Sequence, residues 1–201
     1  MVTHVSTENQ DKTMSSSKIR LLVTSALFAA LTFVGTFFIK VPVFATNGYI
    51  HPGDGFVLLS GIFLGPLWGG LAAGFGSMLS DLVGGYMVYV PATFVIKALV
   101  AVIAAGLTSF LQKITASKKS PVPVIIAGVV GEAFMVIGYF IFETFEFAFT
   151  AKGGFDAASL NSGMATAAAG IPANLIQAVF GIIIAAVLYP LLRNVIKKQE
   201  N

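Results

Sequence analysis

Charge is what this sequence has least of. Of its 201 residues only 10% are Asp, Glu, Lys or Arg, against about 25% in an ordinary soluble domain. Hydrophobic residues make up 56%, and the mean hydropathy is +0.88. Water is not the solvent for most of such a chain. An ordinary soluble enzyme, a nucleic-acid binder and a disordered regulator are thereby excluded. There is no cysteine, which removes disulfides, thiolate metal sites and cysteine nucleophiles. The two histidines, His4 and His51, are too few and too far apart for a metal centre. No G-x-x-x-x-G-K-[ST] phosphate loop occurs, and there is no metal motif or serine nucleophile elbow. The chain is expected to be no enzyme, to hold no metal or cofactor of its own and to use no ATP by itself.

What is present is a series of apolar runs. Residues 1–17 are polar and without periodicity, the pattern of a disordered cytoplasmic tail. The remainder, 18–198, reads as one membrane domain with runs at 19–39, 54–64, 67–83, 92–111, 122–142 and 171–192. At about 20 residues per span these make an all-α, six-helix membrane bundle. The first run is too long for a signal-peptide core, although Val43-Phe44-Ala45 would pass as a cleavage site. Gly65-Pro66 divides the second run from the third: a single helix over 54–83 would be about 45 Å long, too much for one crossing. After Glu143 a loop of about 30 residues is expected, carrying Phe145, Phe147, Phe149 and Phe155.

The positive charges orient this bundle. With six spans, Lys12, Lys18, Arg20, Lys113, Lys118, Lys119, Arg193, Lys197 and Lys198 fall on one side, nine of twelve. Only Lys40 and Lys152 fall on the other, and Lys97 lies within a span. The positive-inside rule puts both termini in the cytoplasm of a multi-pass protein of the bacterial cell membrane.

Ionisable residues inside a membrane cost at least a few kcal/mol each, so their depth is informative. Asp54, Asp81, Tyr86, Tyr89, Lys97, Tyr139, Glu143, Asn174 and Gln177 all fall in the outer half, and only Glu132 nears the midplane. A pore would carry polar residues through the whole thickness. This distribution is that of a cup, suited to a small polar molecule. Other roles remain open for each residue. Asp54 and Asp81 are placed to cap helices or meet headgroups, and Tyr86 and Tyr89 to sit in an interfacial belt. Lys97 could snorkel outward. Glu132 could be a neutral, hydrogen-bonded acid or pair with Lys97. Asn174 and Gln177 could bond neighbouring helices. Small-residue pairs occur at Ala26/Ala30, Gly70/Gly74 and Ala127/Gly131. They serve internal packing or, on the first helix, contact with an external partner.

The stretches Gly48-Tyr49-Ile50-His51-Pro52-Gly53-Asp54, Leu64-Gly65-Pro66, Gly76-Ser77 with Asp81, Pro91-Ala92-Thr93 with Lys97, Gly138-Tyr139-Phe140 with Glu143, and Pro172-Ala173-Asn174-Leu175-Ile176-Gln177 carry a resemblance. Together they resemble the S components of energy-coupling factor (ECF) vitamin transporters, most of all the vitamin B6 or hydroxymethylpyrimidine branch. Pantothenate and riboflavin components share several of these features. The resemblance implies six helices and an outer substrate site closed by the loop between helices 1 and 2. It implies that Ala26 and Ala30 dock on a transmembrane coupling subunit, with two cytoplasmic ATPases completing the importer and using the ATP. The S component would deliver its vitamin by toppling in the membrane. The candidate substrate contacts are Asn47, Tyr49, His51, Asp54, Tyr86, Tyr89, Lys97, Glu132, Tyr139, Glu143, Asn174 and Gln177. The competing readings are a stand-alone facilitator or channel for a small polar solute, and a membrane enzyme using Glu132 and Lys97 in acid-base work, for which no nucleophile or metal motif stands out.

Overall fold

The computed structural model describes residues 3–42, 49–115 and 120–198. It contains α1 (Thr3–Phe37), β1 (Val41–Pro42), β2 (Tyr49–Ile50), α2 (Asp54–Gly84), α3 (Val90–Ile114), α4 (Val122–Thr150) and α5 (Ala157–Lys198). Among the described residues five helices are long and apolar enough to cross a membrane. The six runs read from the sequence become five elements because 54–64 and 67–83 belong to one, α2.

That element is broken all the same. Gly65 has φ 80° and ψ 179°, a backbone state open in practice only to glycine, and Pro66 follows it. Nine residues of straight helix span about 13.5 Å, yet the Ser60 hydroxyl donates to the Gly69 carbonyl at 3.0 Å. The chain therefore turns back at Gly65-Pro66, and the short arm 54–64 lies against the start of the longer one. A Cβ on Gly69 would fall 2.5 Å from the Ser60 carbonyl oxygen, so glycine is what lets the arms meet.

Two boundaries differ from the sequence expectation. The backbone is helical from Thr3 onward, where a disordered tail was expected; no glycine or proline precedes Gly35 to stop the helix from extending backwards. The long loop after Glu143 is also absent. Helix α4 continues to Thr150 and α5 starts at Ala157, leaving a six-residue turn. The reason is local capping and close packing. Asp156 accepts the Ser159 backbone N–H at 2.7 Å, and the Asp156 N–H donates to Ser159 Oγ at 2.8 Å. This reciprocal cap starts α5, and the Ser159 N–H holds the Asp156 carboxyl below its ordinary range. Gly163 then packs on the Thr144 carbonyl of α4, where a Cβ would collide. Phe155 stacks on Phe149 at 4.6 Å and closes the turn from outside.

Helix α2 packs on α1, α3 and α5, and α4 packs on α3 and α5. Val57, Leu58, Leu59, Val100, Val124 and Met135 form the centre, all fully buried. Outward faces are apolar too: Leu22, Leu67, Val95, Ile137 and Val187 are exposed. Apolar inside and outside is the surface of a protein solvated by lipid.

Candidate substrate site at one end of the bundle

The polar residues converge at the end of the bundle away from both termini. Thr36 comes from the last turn of α1, Asp81 from the end of α2, and Tyr86 and Tyr89 from the turn that follows. Thr93 opens α3, Tyr139 and Glu143 lie in the second half of α4, and Gly170, Asn174 and Gln177 in the first half of α5. With Tyr49 and His51 they line a cavity of about 40 Å³. That holds a few water molecules, so a ring-sized ligand enters only as lining side chains move.

Eight of the twelve contacts expected from the sequence line this cavity: Tyr49, His51, Tyr86, Tyr89, Tyr139, Glu143, Asn174 and Gln177. Asn47 lies outside the described residues. The other three lie deeper. Asp54, Lys97 and Glu132 do not line the cavity but form a dry layer beneath it. Lys97 Nζ donates to Asp54 Oδ1 at 2.6 Å, with both side chains almost wholly buried. Lys97 therefore neither snorkels nor pairs with Glu132. Asp54 can reach it because α2 and α3 approach closely: a Cβ on Gly61 of α2 would collide with the Ala101 carbonyl of α3. Glu132 is 1% exposed, and neither of its oxygens has a hydrogen-bond partner among the described residues.

A chain of bonds joins this layer to the cavity. Gln177 Nε2 donates to Asp54 Oδ2 at 2.7 Å, and Gln177 Oε1 accepts the His51 backbone N–H at 3.0 Å. His51 Nδ1 accepts the Gly53 N–H at 3.2 Å, which requires an unprotonated Nδ1. Burial pushes the imidazole down to about 3, against a smaller upward pull from Asp54. His51 is thus a neutral wall residue throughout the physiological range.

Hydroxyls define the rest. Tyr49 donates to Asp81 Oδ1 at 2.6 Å and Tyr89 to Glu143 Oε1 at 3.3 Å, while Thr93 Oγ1 and Tyr139 OH lie 3.0 Å apart. Burial first, then the neighbouring carboxylate, raises both Tyr49 and Tyr89. Lys40, counted in the sequence among the positive charges of the outer side, lies behind this wall. Its ammonium sits 4.3 Å from the Tyr49 ring centroid, 4.7 Å from Phe37 and 5.1 Å from Tyr86. Desolvation lowers Lys40, and Asp81 opposes that shift.

Sequence reasoning passed over Thr36, Thr93 and Gly170 as lining, and left Asp81 out of the contacts. Thr36 carried a faint signal: it lies one turn from Thr32 in an otherwise apolar stretch, and both hydroxyls are buried. Gly170 offers no side chain to notice.

A family described as "ECF-type riboflavin transporter, S component" matches residues 16–194. The chain belongs to the ECF-type S-component family. The fold of this S component agrees with solved relatives. The S component of a bacterial ECF transporter superimposes with a TM-score of 0.60 at 22% identity, covering 90% of this chain and 99% of that one. The S component for biotin from an ECF-type ABC transporter gives 0.57 at 19% identity, covering 87% and 93%. An uncharacterized protein of Pyrococcus woesei is 33% identical over 110 residues. The match spans 53% of this chain and 66%, just under two thirds, of that relative. The B6 or hydroxymethylpyrimidine branch finds no support in these likenesses: the family description names riboflavin, and one of the two solved structures is for biotin.

Proposed function

We propose that this S component is the high-affinity substrate-binding subunit of an ECF-type importer for a water-soluble vitamin or vitamin precursor. The observation that carries the reading is a polar, tyrosine-rich cavity at one end of an apolar bundle, closed below by a satisfied ion pair and a dry core. Such a site can hold a solute, and the buried ion pair and apolar centre beneath it leave no open way onward among the described residues. Movement then needs partners: a transmembrane coupling subunit and two cytoplasmic ATPases. Six spans in a bacterial cell membrane, with the α2 arms counted separately and both termini cytoplasmic, fit the distribution of Lys and Arg. Delivery by toppling suits an inner half whose buried core is nearly all apolar.

Ala26 and Ala30 are the proposed docking pair. Both are exposed on α1, whereas Gly70 packs on Ala98 and Gly131 on Val100 and Leu58. Four tyrosine rings and flanking amides suit a flat, hydroxylated heterocycle such as pyridoxine or hydroxymethylpyrimidine. Riboflavin and pantothenate are the further candidates. Mass spectrometry of small molecules released from the washed, denatured protein tests this reading. A stoichiometric vitamin supports it. An empty site, with no ATPase co-purifying, favours a stand-alone facilitator.

A further inference from the structure

The charges around the cavity are unbalanced. Its lining includes two carboxylates, Asp81 and Glu143, and neither lysine nor arginine. The basic groups nearby are spent elsewhere. Lys97 is held by Asp54. Lys40 lies among the rings of Phe37, Tyr49 and Tyr86 with its ammonium directed to the Ser80 carbonyl at 3.5 Å, on the Asp81 side. His51 is neutral and its Nδ1 is taken. Asp81 thus has Tyr49 as hydrogen-bond donor and Lys40 as a charged neighbour.

Glu143 has no such relief. It is 4% exposed, receives only the Tyr89 hydroxyl on Oε1, and its Oε2 is buried with no partner among the described residues. The charged group nearest in effect is Glu146, one turn on and of the same sign. Glu146 Oε2 is likewise buried and unpartnered. Beside the cavity lies a second hollow of about 370 Å³, lined by Tyr86, Tyr89 and Glu146 together with exposed residues of the α2–α3 turn. Tyr86 and Tyr89 are common to both spaces. Displacing these two rings would join a cavity too small for a ring to a hollow that can hold one.

A buried acceptor without a donor is costly, and two of them flanking a tyrosine partition call for the same complement. We infer that the ligand carries a cationic nitrogen, an ammonium or a protonated or quaternary ring nitrogen, which pairs with Glu143. Glu146 draws it in through the outer hollow, and the faces of Tyr86 and Tyr89 add cation–π attraction. The same imbalance rejects a carboxylate, which would face Glu143 with no counter-ion. This inference rests on the binding-subunit reading and narrows its cargo to amine-bearing or cationic heterocycles, against carboxylate-bearing vitamins.

The test is equilibrium binding to the purified, detergent-solubilised full chain. Pyridoxamine, pyridoxine and 4-pyridoxate present one ring with an aminomethyl, a hydroxymethyl or a carboxylate substituent. Thiamine supplies a quaternary nitrogen; biotin and pantothenate supply carboxylates. The expected result is that the tightest binder is pyridoxamine or thiamine, by about tenfold or more over any carboxylate. Glu143→Gln should weaken that binder by about tenfold while moving neutral pyridoxine less than about threefold. Should Glu143→Gln not yield folded protein, Glu146→Gln, at a half-buried position, should lower affinity for the cation at low salt and not at high salt. A carboxylate binding as tightly as the cations overturns the inference. So does a cation whose affinity is unmoved by the glutamine variants. If all six compounds fail, the charge of the molecule released from the purified protein decides: a cation supports the inference and an anion or neutral compound overturns it. The binding-subunit reading falls only if no compound binds and none is released.

Discussion

At the scale of single residues, the dry layer under the cavity carries the largest energies. Lys97 and Asp54 form an ion pair that water does not reach. Removing one partner strands the other, at a cost of about 3–5 kcal/mol, whereas replacing both is far milder. Lys97→Met should therefore lower the melting temperature sharply in detergent, and Asp54→Asn combined with Lys97→Met should recover most of it. A double variant no better than the single would show that the pair is not what holds this layer. His51 predicts a pH dependence. Its folded value is about 3, against about 6.5 in the unfolded chain. Above pH 6.5 both states are neutral, and its contribution to stability is complete. As pH falls toward 3 the unfolded chain takes up a proton that the fold refuses, so stability is lost, by about 2 kcal/mol at pH 5. His51→Asn keeps an acceptor for the Gly53 N–H and cannot charge. Its melting temperature should fall less between pH 7.5 and pH 5.0 than that of the wild type. Equal falls would place the acid sensitivity elsewhere.

At the scale of elements, two glycines show different constraints. Gly65 has open space around it, and its φ of 80° with ψ of 179° is what excludes other residues. Gly65→Ala should cost about 1–3 kcal/mol through backbone strain alone, seen as a lower melting temperature with the cavity intact. Gly61 has ordinary helical geometry, but a Cβ there would collide with the Ala101 carbonyl. Gly61→Ala should instead force α2 and α3 apart and disturb the Asp54–Lys97 pair that bridges them, detected as a loss of ligand binding greater than that of Gly65→Ala. The reverse order would mean that the turn, not the helix contact, positions the site.

At the scale of the whole molecule, the two ends of the bundle are chemically distinct. One end holds the cavity, and the outer face of α1 presents Ala26 and Ala30 unencumbered. If this face meets the coupling subunit, Ala26→Leu should abolish uptake in cells carrying the full importer while leaving ligand affinity within about twofold. Parallel loss of uptake and binding would remove α1 from the docking role.

Much of this could be read directly from the chain. Low charge and long apolar runs dictate a helical membrane protein, because hydrocarbon leaves backbone groups no partners but their own helix. The positions of Tyr86, Tyr89, Tyr139, Glu143, Asn174 and Gln177 placed a polar site toward one end, since polar side chains persist among apolar ones only where something satisfies them. The Gly65-Pro66 break was legible because glycine and proline act through local backbone geometry. What depended on tertiary contact was not. Helix α5 begins at Ala157 because a cap and Gly163 packing outweigh weak hydropathy. Depth along a helix ranked Lys97 and Asp54 as contacts, but depth does not say which helix each faces. Only the approach of α2 to α3 and α5 turned them to one another, out of the cavity and into the layer on which it rests.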